Sequence, residues 1–373
     1  MRDKSVPEVL IAGWMREWRR CRSTFVLSPK VASQPIGRSR SLLQGDPAAP
    51  DIFNAVLDKA AQKFQQLSRE KGWGYRLCDG SFVDLLLFAD NFWIVSTNAH
   101  ELTEMTAAWL EILTEFGWNV PLGEAVWCTT GPDEKHSWEV KLGNYCIKRS
   151  PRQEGFKVLG TIVTFDNSFE KELRNRMSRA WRAFWKCSDL LRCQAAPIKD
   201  RLRLLQVLVS SPLFWCCGSR NLTAGQLSKL RGIQQNMLQK MLPVRRREGE
   251  QAQEHTMRTN SRINGLKHLH AFQDWDRIDH KSLFKWAGHV ARLARHSERL
   301  TYRVFKHYDW KHIQAIAEQN SGSQLHGRRI RTWRWERPLY RYFSEQHWQT
   351  VAQCKQFWTS QLDDMVEWRC RER

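Results

Sequence analysis

The amino-acid sequence predicts an α+β fold, with a small antiparallel hairpin between amphipathic helices and a basic, mostly helical region after them. Three observations indicate this fold. Two short apolar runs, residues 82–88 and 92–96, are separated only by Ala89-Asp90-Asn91, which is typical of a hairpin with a tight turn. Helical periodicity occurs on both sides of the hairpin, at residues 52–68 and 101–116. Helical patterns of apolar residues also dominate the second half of the chain.

The first of these helices follows a segment that contains Pro47 and Pro50. Because the two prolines disfavour regular structure before residue 51, Asp51 is the predicted N-cap. Gly72 is expected just after the end of the helix. Apolar side chains at helical spacing define the face that we expect to be buried: Ile52, Phe53, Val56, Leu57, Ala60, Ala61, Phe64 and Leu67.

Asp90 stands at the tip of the predicted hairpin and allows two interpretations. Asp and Asn are common in turns because their side chains accept hydrogen bonds from nearby backbone amides. The other interpretation is a metal ligand, since Mg²⁺ prefers hard carboxylate oxygens together with the phosphate oxygens of a bound substrate. The hairpin alone leaves both interpretations open.

The second helix, residues 101–116, begins with a capping-box pattern formed by Asn98 and Glu101. Gly117 is expected to end it. The same apolar periodicity predicts three further helices: residues 169–191, 198–209 and 222–242.

Basic residues are concentrated in the second half of the chain, whose formal net charge is +20 overall. Residues 1–150 contain 18 basic and 18 acidic residues, whereas residues 151–350 contain 37 and 17. Such an excess favours salt-dependent binding of a polyanion, although a solvated basic face without a specific partner is the alternative. Two clusters of arginine are candidates for contacts with the nucleic-acid backbone: Arg174, Arg179 and Arg182 in one helix, and Arg328, Arg329 and Arg331 beside tryptophans. For the second cluster the alternative is a surface loop entering a helix whose tryptophans pack inward.

Four short motifs, in a fixed order, resemble those of reverse transcriptases, most closely the non-LTR retrotransposon (LINE-like) and group II intron types. Gln44-Gly45-Asp46-Pro47 resembles motif B, and Phe88-Ala89-Asp90-Asn91 resembles motif C. Phe116-Gly117-Trp118-Asn119 is similar to the start of motif D, and Phe156-Lys157-Val158-Leu159-Gly160 is similar to motif E. The resemblance extends from about residue 5 to about residue 240.

The resemblance implies a domain organisation. A partial right-hand polymerase palm, with an antiparallel hairpin and helices in two layers, would occupy residues 1–165. A helical thumb-like region at residues 166–244 and a linker at residues 245–261 would follow. Residues 262–373 would form a basic, mostly helical C-terminal region rich in Trp and His. There, Trp286-Ala287-Gly288-His289-Val290 resembles a string found downstream of the polymerase domain in LINE-like proteins.

The implied function is RNA-directed DNA polymerisation by two-metal nucleotidyl transfer, with an RNA template and a DNA primer as partners. Asp90 would bind Mg²⁺, and Asn91 would act as a weakened second catalytic ligand. Four residues would line the template and the nucleotide: Gln44, Gly45, Asp46 and Pro47. Five residues would form the primer grip: Phe156, Lys157, Val158, Leu159 and Gly160.

Three departures from the family's pattern predict impaired catalysis. The aspartate of motif A has no counterpart, since Asp3 is the only aspartate before Gln44 and does not end an apolar strand. We therefore expect an N-terminally truncated copy. Asn91 replaces the second aspartate of motif C, and the stretch in which motif D carries a lysine reads Pro121-Leu122-Gly123-Glu124. Mg²⁺ would then bind weakly or not at all to this chain alone.

Two other functions remain open. A non-catalytic nucleic-acid-binding remnant would grip the duplex backbone through residues 151–350, and a structural or interaction protein would bind no nucleic acid. The ten cysteines form no Cys-x-x-Cys pair and no zinc-finger spacing. This usage favours reduced thiols in an intracellular protein, nuclear or cytoplasmic rather than secreted. The apolar stretches are too short to span a bilayer, so no membrane partner is expected.

Overall fold

The structure, a computed structural model, is mixed α+β and contains short antiparallel strand pairs among many helices, as the sequence predicts. It divides into two compact units. The first comprises residues 1–125 and 137–148, and the second comprises residues 126–136 and 149–373. The residues that the structure describes are the following: 6–20, 22–24, 26–28, 31–37, 45–131, 139–143, 145–166, 168–215, 217–293, 299–308, 336–343 and 347–372.

Helices and short strands alternate in the first part of the chain. In chain order the elements are α1 (Glu8–Arg20), β1 (Arg22–Ser23), β2 (Val26–Ser28), β3 (Val31–Ala32), β4 (Ile36–Gly37), α2 (Ala49–Lys71), β5 (Tyr75–Arg76), β6 (Phe82–Val83), β7 (Leu85–Phe88), β8 (Asn91–Ile94), α3 (Ala99–Glu115), β9 (Val126–Trp127), β10 (Glu139–Leu142) and β11 (Tyr145–Arg149). The strands pair antiparallel, β1 with β4, β2 with β3, β5 with β6, β7 with β8 and β10 with β11.

The start of α2 corrects one prediction. The helix begins at Ala49, two residues before Asp51, so Asp51 is not its N-cap. Pro50 lies in the first turn, where its missing N–H has no cost because the first amides of a helix lack an intrahelical partner. The predicted end is confirmed, since Gly72 follows the last turn with a φ of 70°.

The predicted strand at residues 82–88 is two strands, because the chain changes its pairing partner at Asp84. β6 pairs with β5, and β7 pairs with β8. Asp84 is buried between them, and its side chain accepts a hydrogen bond from the next backbone amide at 2.8 Å. The predicted hairpin between the two apolar runs is confirmed as β7 and β8.

The core of the first unit lies between α2, α3 and the β7–β8 hairpin. Trp109 on α3 is completely buried, and the rings of Phe64 and Phe92 meet it edge-on at centroid distances of 5.4 and 5.9 Å. The predicted N-cap of α3 is confirmed, since Asn98 accepts a hydrogen bond from the Glu101 amide at 2.9 Å. The capping box is only half formed, because the backbone amide of Asn98 donates to the Ser96 hydroxyl at 3.2 Å rather than to Glu101. Burial of these rings holds the hairpin against both helices.

The second unit is mostly helical. The predicted helix 169–191 is interrupted at Cys187 and so forms two helices, and a π turn at Gln206–Ser210 follows the helix Ile198–Leu205. None of the helices that the structure describes has the length and hydropathy needed to cross a membrane. In chain order the elements are β12 (Phe156–Val158), β13 (Thr161–Val163), α4 (Glu170–Lys186), α5 (Ser188–Arg192), α6 (Ile198–Leu205), α7 (Ser211–Leu213), α8 (Ala224–Met241), α9 (Ala252–Leu269), α10 (Trp275–Arg292), α11 (300–308), α12 (Arg337–Tyr342), α13 (Trp348–Val351) and α14 (Lys355–Arg371).

The segment predicted as a linker, residues 245–261, differs from that prediction because α9 begins at Ala252. A reciprocal capping box closes the first turn of α9. Arg258 donates a hydrogen bond to Glu250 at 2.7 Å and so ties the helix to the loop before it. The periodicity of α9 is weak because the helix buries little apolar surface, chiefly Ile263, and its polar sequence therefore resembles a loop.

Two apolar clusters stabilise the second unit. The larger one packs α4, α6 and α8 around Phe184, Leu205 and Met237. The smaller one packs α10 against α14, with Phe284 and Trp358 completely or almost completely buried. Residues of α10 belong to both clusters, so this helix connects them.

Candidate functional site

Asp90 lies in the two-residue turn that joins β7 to β8. The sequence predicts that Asn91 also belongs to this turn, but in the structure Asn91 is the first residue of β8, where it pairs with Phe88. Ala89, the first turn residue, has a φ of 50°, a left-handed value that costs a residue with a side chain about 1–2 kcal/mol. Positive φ at the first central position is the pattern of a type II′ turn, which glycine usually fills. The hairpin therefore holds Asp90 at an exposed tip next to a strained residue.

The side chains of Asp90 and Asn91 contact each other, since the Asn91 amide nitrogen donates a hydrogen bond to Asp90 Oδ1 at 3.1 Å. Asp90 Oδ2 and the amide oxygen of Asn91 are hard donors of the kind that Mg²⁺ binds. The described residues contain no group of three or more His, Cys, Asp and Glu side chains that could hold a metal ion. A Mg²⁺ ion held by these two oxygens would therefore take most of its ligands from water or from phosphate oxygens.

The segment Gly45-Asp46-Pro47 leads into α2. Gly45 has a φ of 92°, which favours glycine. Asp46 accepts a hydrogen bond from the Ala48 amide through its side chain at 2.9 Å, and another from the Ala49 amide through its carbonyl at 3.1 Å. Asp46 therefore stabilises the entry to the helix. Gln44, the other residue predicted to face the template and the nucleotide, lies outside the described residues.

An open groove of about 660 Å³ lies beside the hairpin in the first unit. Leu87 and Ala89 of the hairpin line it together with Trp14 of α1. Asp51 and Asp58 of α2 add two carboxylates to these apolar walls. Because Ala89 is part of the lining, the groove reaches the turn that carries Asp90. No sequence motif indicated this groove, since its lining comes from three separate elements.

The residues predicted to grip the primer, Phe156–Gly160, form β12 and the turn to β13. Leu159 and Gly160 fill this two-residue turn with φ values of 48° and 85°. Positive φ at both positions is the pattern of a type I′ turn. Lys157 is exposed on β12, and Leu159 is 45% exposed at the tip. The hairpin thus presents a cation and an apolar tip to solvent.

A buried ion pair on α4, between Glu172 and Arg176, holds this second hairpin in place. Glu172 accepts a hydrogen bond from the Ile162 amide of β13 at 2.8 Å. Arg176 donates to the Thr161 hydroxyl at 3.3 Å and to the Leu213 carbonyl at 3.1 Å. The two charged side chains are only 1% and 4% exposed. β13 is consequently attached to α4 by polar groups that water does not reach.

Cations also accumulate at the start of α4. Arg176 and Arg220 both lie over the ring of Phe169, at 5.7 and 4.5 Å from its centroid. Burial, and then repulsion from Arg176, lowers the pKa of Arg220 from its ordinary value. The guanidinium nevertheless stays charged at neutral pH. Glu172 is the carboxylate that offsets this positive charge, because it pairs with Arg176.

The arginines predicted to contact nucleic acid from α4 differ in their surroundings. Arg174 and Arg182 are exposed, and Arg174 donates to the Glu170 carbonyl of its own helix. Arg179 is half-buried and donates to the Gly160 carbonyl at 3.3 Å, so it contributes to the β12–β13 turn. The other predicted arginines lie outside the described residues: Arg328, Arg329 and Arg331.

The string Trp286–Val290 has a packing role in α10. A Cβ atom on Gly288 would lie 2.3 Å from the indole nitrogen of Trp358, so only glycine leaves room for this ring. The same indole nitrogen donates a hydrogen bond to the Phe284 carbonyl at 3.0 Å. On the other side of the helix, the rings of Trp286 and His289 pair at 5.8 Å. Helix packing therefore explains the glycine of this string.

A search against protein-family models, curated proteins and solved structures found no match to this chain. The motifs and the geometry described above are therefore the basis for assigning a function.

Proposed function

We propose that this chain is a reverse transcriptase-type protein, an RNA-directed DNA polymerase of the non-LTR retrotransposon kind, with weakened catalysis. Its substrates would be an RNA template annealed to a DNA primer, and deoxynucleoside triphosphates. The observation that carries the proposal is the β7–β8 hairpin, which presents Asp90 at an exposed tip between α2 and α3. Two-metal nucleotidyl transfer requires carboxylates that are accessible to the reacting phosphates.

Asp90 and Asn91 are the proposed metal ligands. Bound between them, Mg²⁺ would neutralise charge on the transferring phosphate. Asn91 offers an uncharged amide oxygen, and its amide nitrogen already donates to Asp90. The pair therefore carries one negative charge rather than two, which lowers its affinity for a divalent cation. This difference is the physical reason to propose weakened catalysis.

The exposed cations of the second unit are the proposed contacts to the nucleic-acid backbone. Lys157 on β12 and Arg174 and Arg182 on α4 are exposed and belong to the part of the chain that carries the positive excess. Contacts between such cations and phosphates release counterions, so the affinity decreases as salt increases. Phe156–Gly160 would contact the primer end through the tip of the β12–β13 hairpin.

A non-catalytic nucleic-acid-binding protein is the second candidate. One observation favours it: within the described parts of the chain, no group of three or more potential metal ligands accompanies Asp90. In that case residues 151–350 would bind the duplex backbone, and no Mg²⁺-dependent synthesis would occur. Both candidate functions include binding of nucleic acid, and only the first includes DNA synthesis.

Primer extension on an RNA template, with Mg²⁺ and with binding measured in parallel, separates these candidates. We expect binding that weakens steeply between about 50 and about 200 mM salt, together with slow extension that Asp90→Ala abolishes. Asn91→Asp restores a second charge at the tip and should accelerate extension. Glu111→Gln, an exposed acid on α3, is the matched control and should leave extension unchanged.

Each other outcome has a defined meaning. Extension that persists in Asp90→Ala would refute the metal role of Asp90. Binding without any extension, in the wild type and in Asn91→Asp, would favour the non-catalytic candidate. A folded protein without salt-sensitive binding would contradict both candidates.

A further inference from the structure

We infer that Trp185 is a stacking platform for an unpaired base, so that the ends of α4 and α8 bind single-stranded nucleic acid. This inference rests on the proposed function, because it names the form of nucleic acid that one part of the second unit binds.

The ring of Trp185 is accessible and yet held firmly. It is 47% exposed at the end of α4. One turn earlier, Trp181 stacks on it with an interplanar angle of 21° and a centroid distance of 6.2 Å. The completely buried Phe184 meets it edge-on at 5.3 Å. A ring fixed in this way loses little conformational freedom when a base stacks on it, which favours binding.

Cations surround the exposed ring. The Nζ atom of Lys240, near the end of α8, lies over the ring at 5.5 Å from its centroid. Arg182 precedes Trp185 by three positions on α4 and therefore shares its face, and Lys186 follows it directly. The side chains of all three basic residues are exposed. A base that stacks on the ring face below Lys240 has to displace its ammonium group, which can then, with Arg182 and Lys186, contact the phosphates on either side of that base.

The combination of one aromatic face with several cations matches single strands better than duplexes. Every base has a π-face that can stack on an aromatic side chain, but in a duplex the neighbouring base pairs cover these faces. Contacts with phosphates alone do not distinguish single strands from duplexes, because both forms have a phosphate backbone. A contact between Lys240 and Trp185 that only stabilises the fold is the alternative explanation of this arrangement, and it predicts no selective loss of single-strand binding.

The test measures the affinity of the full chain for labelled oligouridine and oligodeoxythymidine, each roughly 12 nucleotides long, and for a duplex of equal length. Trp185→Ala should weaken binding of both single strands roughly 5- to 150-fold and leave duplex binding nearly unchanged. The salt dependence should stay the same, because no charge is removed. Trp185→Phe should retain most of the affinity.

Two further variants serve as controls. Trp215→Ala removes another exposed tryptophan, 63% accessible, and should bind single strands like the wild type. Lys240→Gln should flatten the slope of log affinity against log salt by about 0.7 for single strands. Should Trp185→Ala fail to fold, Trp185→Phe and Lys240→Gln carry the test, and an unchanged slope in Lys240→Gln would overturn the inference.

The outcomes distinguish this inference from the proposed function. Salt-sensitive binding by the wild type with no loss of single-strand affinity in Trp185→Ala would overturn the inference and leave the proposed function standing. Equal losses on single strands and duplex would overturn it as well. Absence of any salt-sensitive binding by the folded wild type would overturn both.

Discussion

At the scale of single residues, both turns in the candidate site use side chains where glycine or asparagine is usual. Ala89 and Leu159 have positive φ, at the tips of the β7–β8 and β12–β13 hairpins. Strained backbone of this kind persists only where the surrounding structure enforces it, and it is common at functional sites. Neither residue type signals a turn, so the sequence predicted the first hairpin from its flanking strands and gave no indication of strain.

Replacement of Ala89 by glycine should stabilise the first unit. Glycine adopts positive φ without steric cost, so Ala89→Gly should raise the free energy of unfolding by about 1 kcal/mol, as measured by urea denaturation. The matched control is Ala107→Gly, at an exposed position inside α3, which should lower the same quantity by about 1 kcal/mol. A loss of stability in Ala89→Gly would contradict the strain that we assign to this turn.

The contact between Gly288 and Trp358 gives a second residue-scale prediction. Gly288→Ala should lower the free energy of unfolding by about 1–3 kcal/mol, because the new methyl group displaces a buried indole and its hydrogen bond. Gly265→Ala in α9 is the control, because nothing lies within 4 Å of the added atom. That variant should be stabilised by about 0.5–1 kcal/mol through helix propensity alone. Equal effects at both sites would refute the packing role of Gly288.

At the scale of elements, burial decided which predictions from the sequence succeeded. α2, α3 and α8 each bury an apolar face, and their apolar periodicity placed them within a few residues. Val56, which the periodicity predicts on the buried face of α2, is exposed. α9 buries almost nothing apolar, and capping and ion pairs stabilise it instead, so its sequence resembles a linker. The strand breaks at Asp84 because β6 pairs with β5 whereas β7 pairs with β8. The apolar pattern of residues 82–88 does not show which strand each part pairs with, so it could not predict this break.

The Glu172–Arg176 pair is the main polar attachment between α4 and the β12–β13 hairpin. Glu172→Ala should lower the free energy of unfolding by about 3–5 kcal/mol, because it leaves the Arg176 guanidinium buried without a counter-charge. Urea denaturation measures this loss. Glu154→Gln removes the partner of Lys171 in a solvent-exposed pair and should change stability by less than about 1 kcal/mol. Similar small losses in both variants would show that the buried pair does not hold the hairpin.

Glu250 should make the junction between the α8–α9 loop and α9 sensitive to acid. Hydrogen bonds from Arg258 and from the Arg247 amide hold the pKa of Glu250 at about 2, well below its ordinary value of 4.5. The carboxylate therefore stabilises the folded state fully above pH 4.5, and this contribution is lost as the pH decreases towards 2. The melting temperature of Glu250→Gln should lie below that of the wild type at pH 7, and the difference should vanish near pH 2.

Glu248→Gln is the control for this pH dependence, because Glu248 is exposed in the same loop. Its melting temperature should follow that of the wild type at every pH. A difference between Glu250→Gln and the wild type that stays constant from pH 7 to pH 2 would contradict the assigned hydrogen bonds.

At the scale of the whole molecule, the distribution of charge sets the expected response to salt. Each phosphate that a cation neutralises adds about 0.9 to the slope of log affinity against log salt for duplex DNA. Arg174→Gln and Arg182→Gln should therefore each flatten the slope by about 0.9. Lys141→Gln, which removes an exposed cation of the first unit, should leave it unchanged. Equal flattening in all three variants would refute a binding surface on α4.

The residues of the candidate site could be named from the sequence, whereas the contacts that hold them in place could not. Asp90, Asn91 and the Phe156–Gly160 segment could be named from short motifs, because each motif lies within one hairpin. The roles of Arg179 and Arg176 in fixing the second hairpin could not be predicted from the sequence, since the residues that they contact lie 15 to 37 positions away in the chain. The same holds for Lys240 over Trp185, a contact between two helices.

The first unit is assembled from two separated stretches of chain, which constrains the order in which it can fold during synthesis. α3 packs against β10, and residues 126–136, which belong to the second unit, are translated before that strand. When α3 has just been synthesised, it can pack against α2 and the β7–β8 hairpin, but the strand that contacts it from later in the chain, β10, does not yet exist. A polypeptide that stops at residue 125 would keep the Asp90 hairpin and the two helices around it, but α3 would permanently lack its contact with β10.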